Sequence, residues 1–171
     1  MAMKKLAVGE KIIYGAQGIM TLTDERYESV GDAQKLYYVL SGEDNATATL
    51  TYVPTDNERL VSLIKPLLSR DELLCALDGF DATLVPEWCD NARARQEVFK
   101  RVLEGDSRTD VLGIIYLIRE NGKRRLAEGK KNFISDENVL KRAEKILATE
   151  ISIVLGVSED EAMAMIDKAI D

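Results

Sequence analysis

The chain has 171 residues, of which 46% are hydrophobic and 31% are charged, so it carries enough apolar material for one sizeable core or two small ones and is not disordered. No apolar run approaches the roughly 20 residues of a membrane span, and the first residues lack a signal-peptide stretch, so we expect a cytoplasmic protein. The absence of histidine argues against most hydrolases and zinc proteins, and the net charge of -7 argues against non-specific binding to long nucleic acids.

The first third of the chain has the composition of short β-strands, because β-branched and aromatic residues occur in short runs that are separated by turn-forming residues. Five strands are predicted, at Glu10 to Tyr14, Gly18 to Thr23, Arg26 to Val30, Gln34 to Leu40 and Ala46 to Val53. Turns are predicted at Gly31-Asp32 and from Gly42 to Asn45. Five short strands favour a small barrel, which removes its own edges by closure.

After Pro54 the hydrophobic period becomes that of helices. Predicted helices lie at Asn57 to Leu60, at Ser69 to Leu77 with Ser69 as cap and Glu72 three residues on, at Asp90 to Glu104 with Asp90 as cap, from Asp106 or Ser107 towards Arg119, from a Ser135 cap to Gly156, and after a Ser158 capping box. The stretch from Gly79 to Pro86 is predicted as a loop. The fold class is therefore α+β, with a β-barrel domain at residues 1–66 and an all-α domain at residues 67–171.

The helix predicted from Asp90 to Glu104 has two different faces. The apolar side consists of Val98, Phe99, Val102 and Leu103. The opposite side is cationic and consists of Arg93, Lys100 and Arg101. Arg95 is out of place in this pattern, since it does not fall with the other basic residues. One face of this helix is therefore expected to pack, and the other is a candidate contact for phosphates.

Positive charge is concentrated in the carboxyl-terminal half, where the stretch from Trp88 to Leu147 has 14 Lys and Arg against 10 Asp and Glu. This stretch carries +4 and the remainder -11. Within it, the run from Arg119 to Lys131 contains Lys123, Arg124 and Arg125. Two interpretations of this basic run stay open: phosphate contact, or a solvated helix end where cations are favoured by the helix dipole.

A small predicted β-barrel followed by a helical domain with a single tryptophan near its start resembles the bacterial CarD/CdnL family of RNA polymerase-binding transcription regulators. The run from Val8 to Tyr14 followed by Gly18-Ile19 is similar to the family's opening Val-Gly-Asp-x-Val-x-Tyr-Pro-x-x-Gly pattern. Later segments that resemble the family are Tyr37 to Leu40, Val53-Pro54, Leu103 to Asp106, Ser135 to Leu140, Ala143, and Ile146 to Leu155. The resemblance covers nearly the whole chain and rests on the order and spacing of these pieces.

The resemblance implies a Tudor-like amino-terminal domain that binds the β subunit of RNA polymerase, as the related domain of transcription-repair coupling factors does. It also implies a helical domain that reaches promoter DNA, where a tryptophan wedges into the minor groove at the upstream edge of the melted bubble. Nearby basic residues hold the backbone and stabilise the open complex. Trp88 is the only tryptophan of the chain and lies in the matching region. No cofactor is implied.

The chain departs from the family pattern at several positions. Gly15 stands where the family usually has proline, the interval from Trp88 to Gly105 is longer than usual, and the expected arginine pair is represented only by Arg93. Barrel positions that often carry arginines for the polymerase hold Glu28, Tyr52 and Ile64, with Arg26 close by. These four residues are the candidate polymerase contacts, and the footprint is expected to differ from the family norm.

A physical argument independent of the resemblance also supports DNA contact by Trp88, because a large flat apolar side chain can insert at a base step and kink the duplex. Trp88 lies just ahead of a predicted helix, where it can protrude. The alternative is a core tryptophan, since this residue is usually well buried. The residues alone favour the core role, and the resemblance favours the wedge.

Three classes of function remain open. The first is a polymerase-tethered promoter factor, for which weak DNA contact suffices because tethering raises the effective concentration. The second is a protein interaction module that binds polymerase or another partner without DNA. The third is an enzyme that uses Cys89 or the carboxylates Glu159 and Asp160. The sequence argues against this class, because it contains no histidine base, no phosphate loop and no cluster of metal ligands. We expect a monomer that is not an enzyme, with Cys75 and Cys89 both reduced.

Overall fold

A computed structural model describes residues 6–42 and 49–171 of the chain. The chain divides into two compact units, Met1–Leu67 and Leu68–Asp171, called here the sheet unit and the helical unit. The first contains an antiparallel sheet and the second contains helices, so the protein has an α+β fold. None of the helices in the described ranges is long and apolar enough to cross a membrane.

The sheet unit has five strands in the spatial order β4-β3-β2-β1-β5, each antiparallel to its neighbour. The strands are β1 (Lys11–Tyr14), β2 (Ile19–Val30), β3 (Ala33–Gly42), β4 (Leu50–Pro54) and β5 (Ile64–Pro66). A 3-10 turn at Gly15–Gln17 joins β1 to β2, and a short helix α1 (Glu58–Val61) follows β4. Asn57 caps α1 by accepting a hydrogen bond from the Leu60 amide at 3.1 Å.

The two strands predicted at Gly18 to Thr23 and Arg26 to Val30 form one continuous strand, β2. A register shift between Leu22 and Asp24 absorbs the change of phase, because Leu22 pairs with Leu40 and Asp24 with Val39. Asp24 and Glu25, which lie between the two predicted strands, are therefore part of β2. The predicted turn at Gly31-Asp32 is confirmed, with Gly31 at φ 61, a left-handed value that suits glycine.

The closed barrel expected from the strand count is not confirmed, since the sheet is open. In the described part of the chain its edges are β4 and β5, which do not pair with each other. Closure needs edge strands that share a staggered ladder, and β5 has only three residues. The fifth strand is itself a correction, because Ile64 to Pro66 was expected to lead into a helix. Residues 43–48, which hold part of the predicted turn after Gly42 and the start of the predicted Ala46 to Val53 strand, lie outside the described residues.

A cluster of buried apolar residues forms the core of the sheet unit. The fully or largely buried members of the core are Ile12, Tyr14, Met20, Leu22, Leu40, Val53 and Val61. Ile12 and Tyr14 on β1, and Met20 and Leu22 on β2, lie two residues apart and so share one face of the sheet, but Ile13, Ile19 and Val39, of the opposite parity, are buried as well. Burial raises the pKa of the Tyr14 hydroxyl above its ordinary value.

The helical unit contains five helices. They are α2 (Arg70–Asp78), α3 (Ala92–Glu104), α4 (Arg108–Ala127), α5 (Ile134–Leu155) and α6 (Glu159–Ile170), with a 3-10 turn at Ala82–Leu84. Apolar residues from all five build its core, including Leu73, Phe99, Ile115, Ile151 and Ile166. Two buried ion pairs, Arg95 with Asp136 and Arg108 with Glu150, lie among them.

Four of the predicted helix boundaries are confirmed by the local hydrogen bonds. Ser69 and Ser158 form reciprocal capping boxes with Glu72 and Glu161. Ser107 caps α4, and Gly156 ends α5 at φ 69.

Two other expectations about the helices were wrong. The cap of α3 is Asn91 and not Asp90, since Asn91 Oδ1 accepts from the Ala94 amide at 3.0 Å. Helix α5 begins after Phe133 without a side-chain cap, so Ser135 lies inside its first turn. Helix α4 ends at Ala127, within the basic run from Arg119 to Lys131 that was expected at its end.

Candidate functional site

Trp88 lies just before α3 and is partly buried. Its indole ring stacks on the guanidinium of Arg95, whose central carbon is 4.3 Å from the ring centroid. A cation over an indole face is the strongest of the aromatic cation contacts, contributing about 0.5 to 2 kcal/mol. Trp88 is therefore held against the helical unit on one face while part of its surface remains accessible.

Arg95 is itself buried, with 2% of its surface exposed, although it belongs to the helix whose outer face is cationic. Its Nε and Nη2 donate to the two carboxylate oxygens of Asp136 at 3.2 and 2.9 Å. Its Nη1 donates to the backbone carbonyl of Cys89 at 2.6 Å, and Gln96 Nε2 adds a donor to Asp136 at 2.7 Å. The fork fixes the plane of the guanidinium, and through it the position of the indole.

The stack extends beyond Arg95. The Phe133 ring centroid lies 5.4 Å from the central guanidinium carbon of Arg95 and 4.0 Å from that of Arg125. Trp88, Arg95, Phe133 and Arg125 thus form alternating aromatic and cationic layers, called here the Trp88 stack. Phe133 was missed by reasoning from the sequence, because its role comes from contacts with distant helices.

The cationic side of α3 is exposed as its periodicity predicted. Arg93, Lys100 and Arg101 all lie at the surface. Arg101 Nε reaches only the Glu97 carbonyl, at 3.4 Å, and neither Arg93 nor Lys100 has an ion pair with another described residue. Of the apolar side, Phe99 and Leu103 are buried, whereas Val98 is 44% exposed.

The basic run is largely engaged within the helical unit. Lys123 pairs with Glu120 at 2.6 Å, and Arg124 donates to Asn121 Oδ1 at 2.7 Å. Arg125 donates to the Lys131 carbonyl through two nitrogens, at 2.9 and 2.8 Å. The hydrogen bond and charge of Glu120 raise the pKa of Lys123. Lys123 and Arg124 remain at the surface, so their charges still face solvent.

Arg119, at the start of the basic run, joins three helices. It donates to Glu144 of α5 at 2.7 Å and to Asp167 of α6 at 2.7 Å. Burial acts to lower the pKa of Arg119, but the hydrogen bonds and charges of Asp167 and Glu144 raise it above its ordinary value. This arginine holds helices together.

In the sheet unit, three of the four candidate polymerase contacts lie together. Arg26 Nη2 donates to the Tyr52 hydroxyl at 2.5 Å, and its Nε lies 3.2 Å from a Glu28 carboxylate oxygen. Tyr37 packs edge-on against Tyr52, with ring centroids 6.4 Å apart. Ile64 lies apart from them, on β5, and packs against the buried core. The surface formed by Arg26, Glu28, Tyr37 and Tyr52 is called here the Arg26 surface.

Residues proposed for other chemistry show no assembled site. Cys75 and Cys89 are free and exposed. Glu159 pairs with Lys145 at 3.1 Å. Across residues 6–42 and 49–171, no group of three or more His, Cys, Asp or Glu side chains is placed to hold a metal ion.

No protein-family model matches this chain, and no curated protein matches it. The likeness to the CarD/CdnL family therefore rests on the residues quoted above.

Proposed function

We propose that this protein is a transcription regulator of the CarD/CdnL type, which binds the β subunit of RNA polymerase through a Tudor-like sheet unit and stabilises the promoter open complex through its helical unit. The observation that carries the proposal is the fixed position of Trp88, the single tryptophan, on the buried Arg95. A preorganised indole loses little conformational freedom when it inserts at a base step, so the energy of contact goes into unstacking the bases.

Phosphate contacts are assigned to the exposed side of α3. Arg93, Lys100 and Arg101 are accessible on the helix that begins directly after the Trp88 segment. Long flexible cations of this kind bind phosphates without reading sequence. Lys123, Arg124 and Arg125 are secondary contacts, because each already has a partner within the helical unit.

The polymerase contact is assigned to the Arg26 surface. Its hydrogen bond from Arg26 to Tyr52 orients a guanidinium and two aromatic rings on one exposed face. Arginine and tyrosine are enriched among the residues that dominate protein interfaces. Tethering through this surface would raise the local concentration of the helical unit at the promoter to something like millimolar, which offsets the repulsion expected from an acidic protein.

A second candidate function is a protein interaction module that binds polymerase or another partner without contacting DNA. The internal contacts of the basic run favour this second function, because Arg119 binds Glu144 and Asp167 and Arg125 binds the Lys131 carbonyl within the helical unit.

The experiment that separates the two measures open-complex lifetime on a promoter with the cognate polymerase, with no factor, the native protein, Trp88→Ala or Trp88→Phe. We expect the native protein to lengthen the lifetime several-fold, Trp88→Ala to bind polymerase without this effect, and Trp88→Phe to keep part of it because a ring still covers Arg95. Native protein that binds polymerase and leaves the lifetime unchanged would replace the proposal with the interaction module.

A further inference from the structure

An apolar groove lies within the helical unit beside the Trp88 stack. Its volume is about 420 Å³, in the range of small-ligand sites. The apolar walls are formed by Phe80, Val85, Val98, Phe99, Val102 and Leu117. Leu84 stands at the groove with 80% of its surface exposed. A concave apolar surface of this volume with a few polar groups at its edge is the usual form of a small-ligand site.

The charges around the groove favour one kind of ligand. Three acidic residues line it, Asp81, Glu87 and Asp110, and all three are exposed, with the Asp81 carboxylate also accepting hydrogen bonds from the Thr83 amide and hydroxyl. The cation that lines it, Arg95, is already neutralised by Asp136. A bound molecule therefore meets apolar walls and a net negative edge.

We propose that this groove binds a small organic cation with an apolar or aromatic body, the body lying between α3 and α4 and the ammonium group facing Asp81, Glu87 and Asp110. The carboxylates attract the cation, and the walls exclude water from its body.

The groove adjoins the residues that place Trp88. Arg95 and Cys89 line it, and Arg95 both donates to the Cys89 carbonyl and carries the indole. A ligand in contact with these two residues changes the surroundings of Trp88. Binding itself does not depend on DNA, but any effect on promoter opening rests on the function proposed above.

The test uses the single tryptophan as its reporter, in the full chain without DNA or polymerase. The probes are phenylbutylamine and its neutral and anionic counterparts, phenylbutanol and phenylbutanoate, with binding followed by Trp88 emission and by calorimetry. We expect the amine to shift the emission saturably, the alcohol to bind about fivefold more weakly because exposed charges contribute little each, and the carboxylate to bind more weakly still.

Three variants make the assignment specific to the groove. Gly113 lines it, and a Cβ there would meet a Val85 methyl carbon at 3.7 Å, an ordinary contact, so Gly113→Leu adds a side chain towards the groove. Leu84→Ser alters the groove at a position too exposed to unfold the protein. Asp110→Asn removes one carboxylate. We expect Gly113→Leu and Leu84→Ser to weaken binding of the amine at least several-fold. Asp110→Asn should reduce the difference in affinity between the amine and the alcohol.

Binding of the alcohol or carboxylate as tight as that of the amine overturns the choice of a cation. Absence of both a calorimetric signal and an emission shift with all three probes overturns the site. Neither result bears on the open-complex measurement, so failure here and failure of the proposed function are distinguishable.

Discussion

Arg95 and Asp136 are 41 residues apart in the chain and meet through two hydrogen bonds in the interior of the helical unit. Both residues are nearly inaccessible to water. Their pairing turns an arginine on a largely cationic helix into the platform beneath Trp88. The same arginine therefore links the stability of the fold to the placement of the candidate DNA wedge.

Asp136→Ala is expected to lower the free energy of unfolding by about 3 to 5 kcal/mol, because it leaves the Arg95 charge buried without a partner. Chemical denaturation followed by circular dichroism measures this. Asn138→Ala, an exposed change on the same helix, is the control and should cost less than about 0.5 kcal/mol. Equal effects of the two substitutions would contradict the structural role of the pair.

Arg95→Lys is expected to displace Trp88 even though the charge is kept, since an ammonium cannot reproduce the planar fork to Asp136 and the Cys89 carbonyl. The measurement is Trp88 emission, which should move to longer wavelength as the indole becomes more hydrated. The matched variant Arg93→Lys, at an exposed position, should leave the emission unchanged. An unaltered spectrum in Arg95→Lys would mean that other contacts hold the indole.

The capping box of α2 makes part of the stability depend on pH. Hydrogen bonds from the Ser69 hydroxyl and amide lower the pKa of Glu72 below its ordinary value of 4.5. A group with a lowered pKa in the folded state contributes stability above its unfolded pKa, and this contribution is lost as pH falls through the folded pKa. The stability advantage of the native protein over Glu72→Gln should therefore be full above about pH 5 and shrink below pH 4.5. Thermal unfolding across this range checks it, and a difference that stays constant with pH would contradict it.

Two glycine substitutions should have opposite effects on stability. Gly156 ends α5 at φ 69, so Gly156→Ala forces an L side chain into the left-handed region and should cost about 1 kcal/mol. Gly113 lies inside α4 with room for a Cβ, so Gly113→Ala should stabilise by about 0.5 to 1 kcal/mol through helix propensity. Denaturant midpoints of the two variants measure both. The same sign for both changes would refute this account of the two positions.

Arg26→Ala should weaken binding to the polymerase β subunit while changing the free energy of unfolding by less than about 1 kcal/mol, because its contacts are at the surface. Lys35→Ala is the matched control, since Lys35 belongs to the same hairpin but pairs with Asp56. Calorimetry with the isolated β domain gives the affinity, and denaturation gives the stability. Equal affinity of the two variants would place the polymerase contact elsewhere.

Local sequence patterns were enough to predict several elements. Ser69 and Ser158 were recognised as caps because a capping box needs only residues three positions apart. The exposure of Arg93, Lys100 and Arg101 followed from helical periodicity alone. Where two neighbouring side chains could serve, as with Asp90 and Asn91, the pattern did not decide between them.

Gaps and errors in the predictions arose where distant contacts override local preference. No end residue was predicted for helix α4, which continues through Asn121 and Gly122 to Ala127, and both of these residues are buried there. A Cβ on Gly122 would come within 3.1 Å of the Asn132 side chain, so close packing explains the glycine. Similarly, Ile64 to Pro66 becomes a strand only because β1 offers an edge to pair with.

The sequence by itself determined an α+β chain in which strands precede helices, the ends of several helices, and a single tryptophan next to a cationic helix face. Only the tertiary structure decided that the sheet is open and that Arg95 turns inward to Asp136. The reason is physical: caps, turns and periodicity depend on neighbours within one or two turns of chain, whereas strand pairing and the burial of a charge depend on partners that folding brings together.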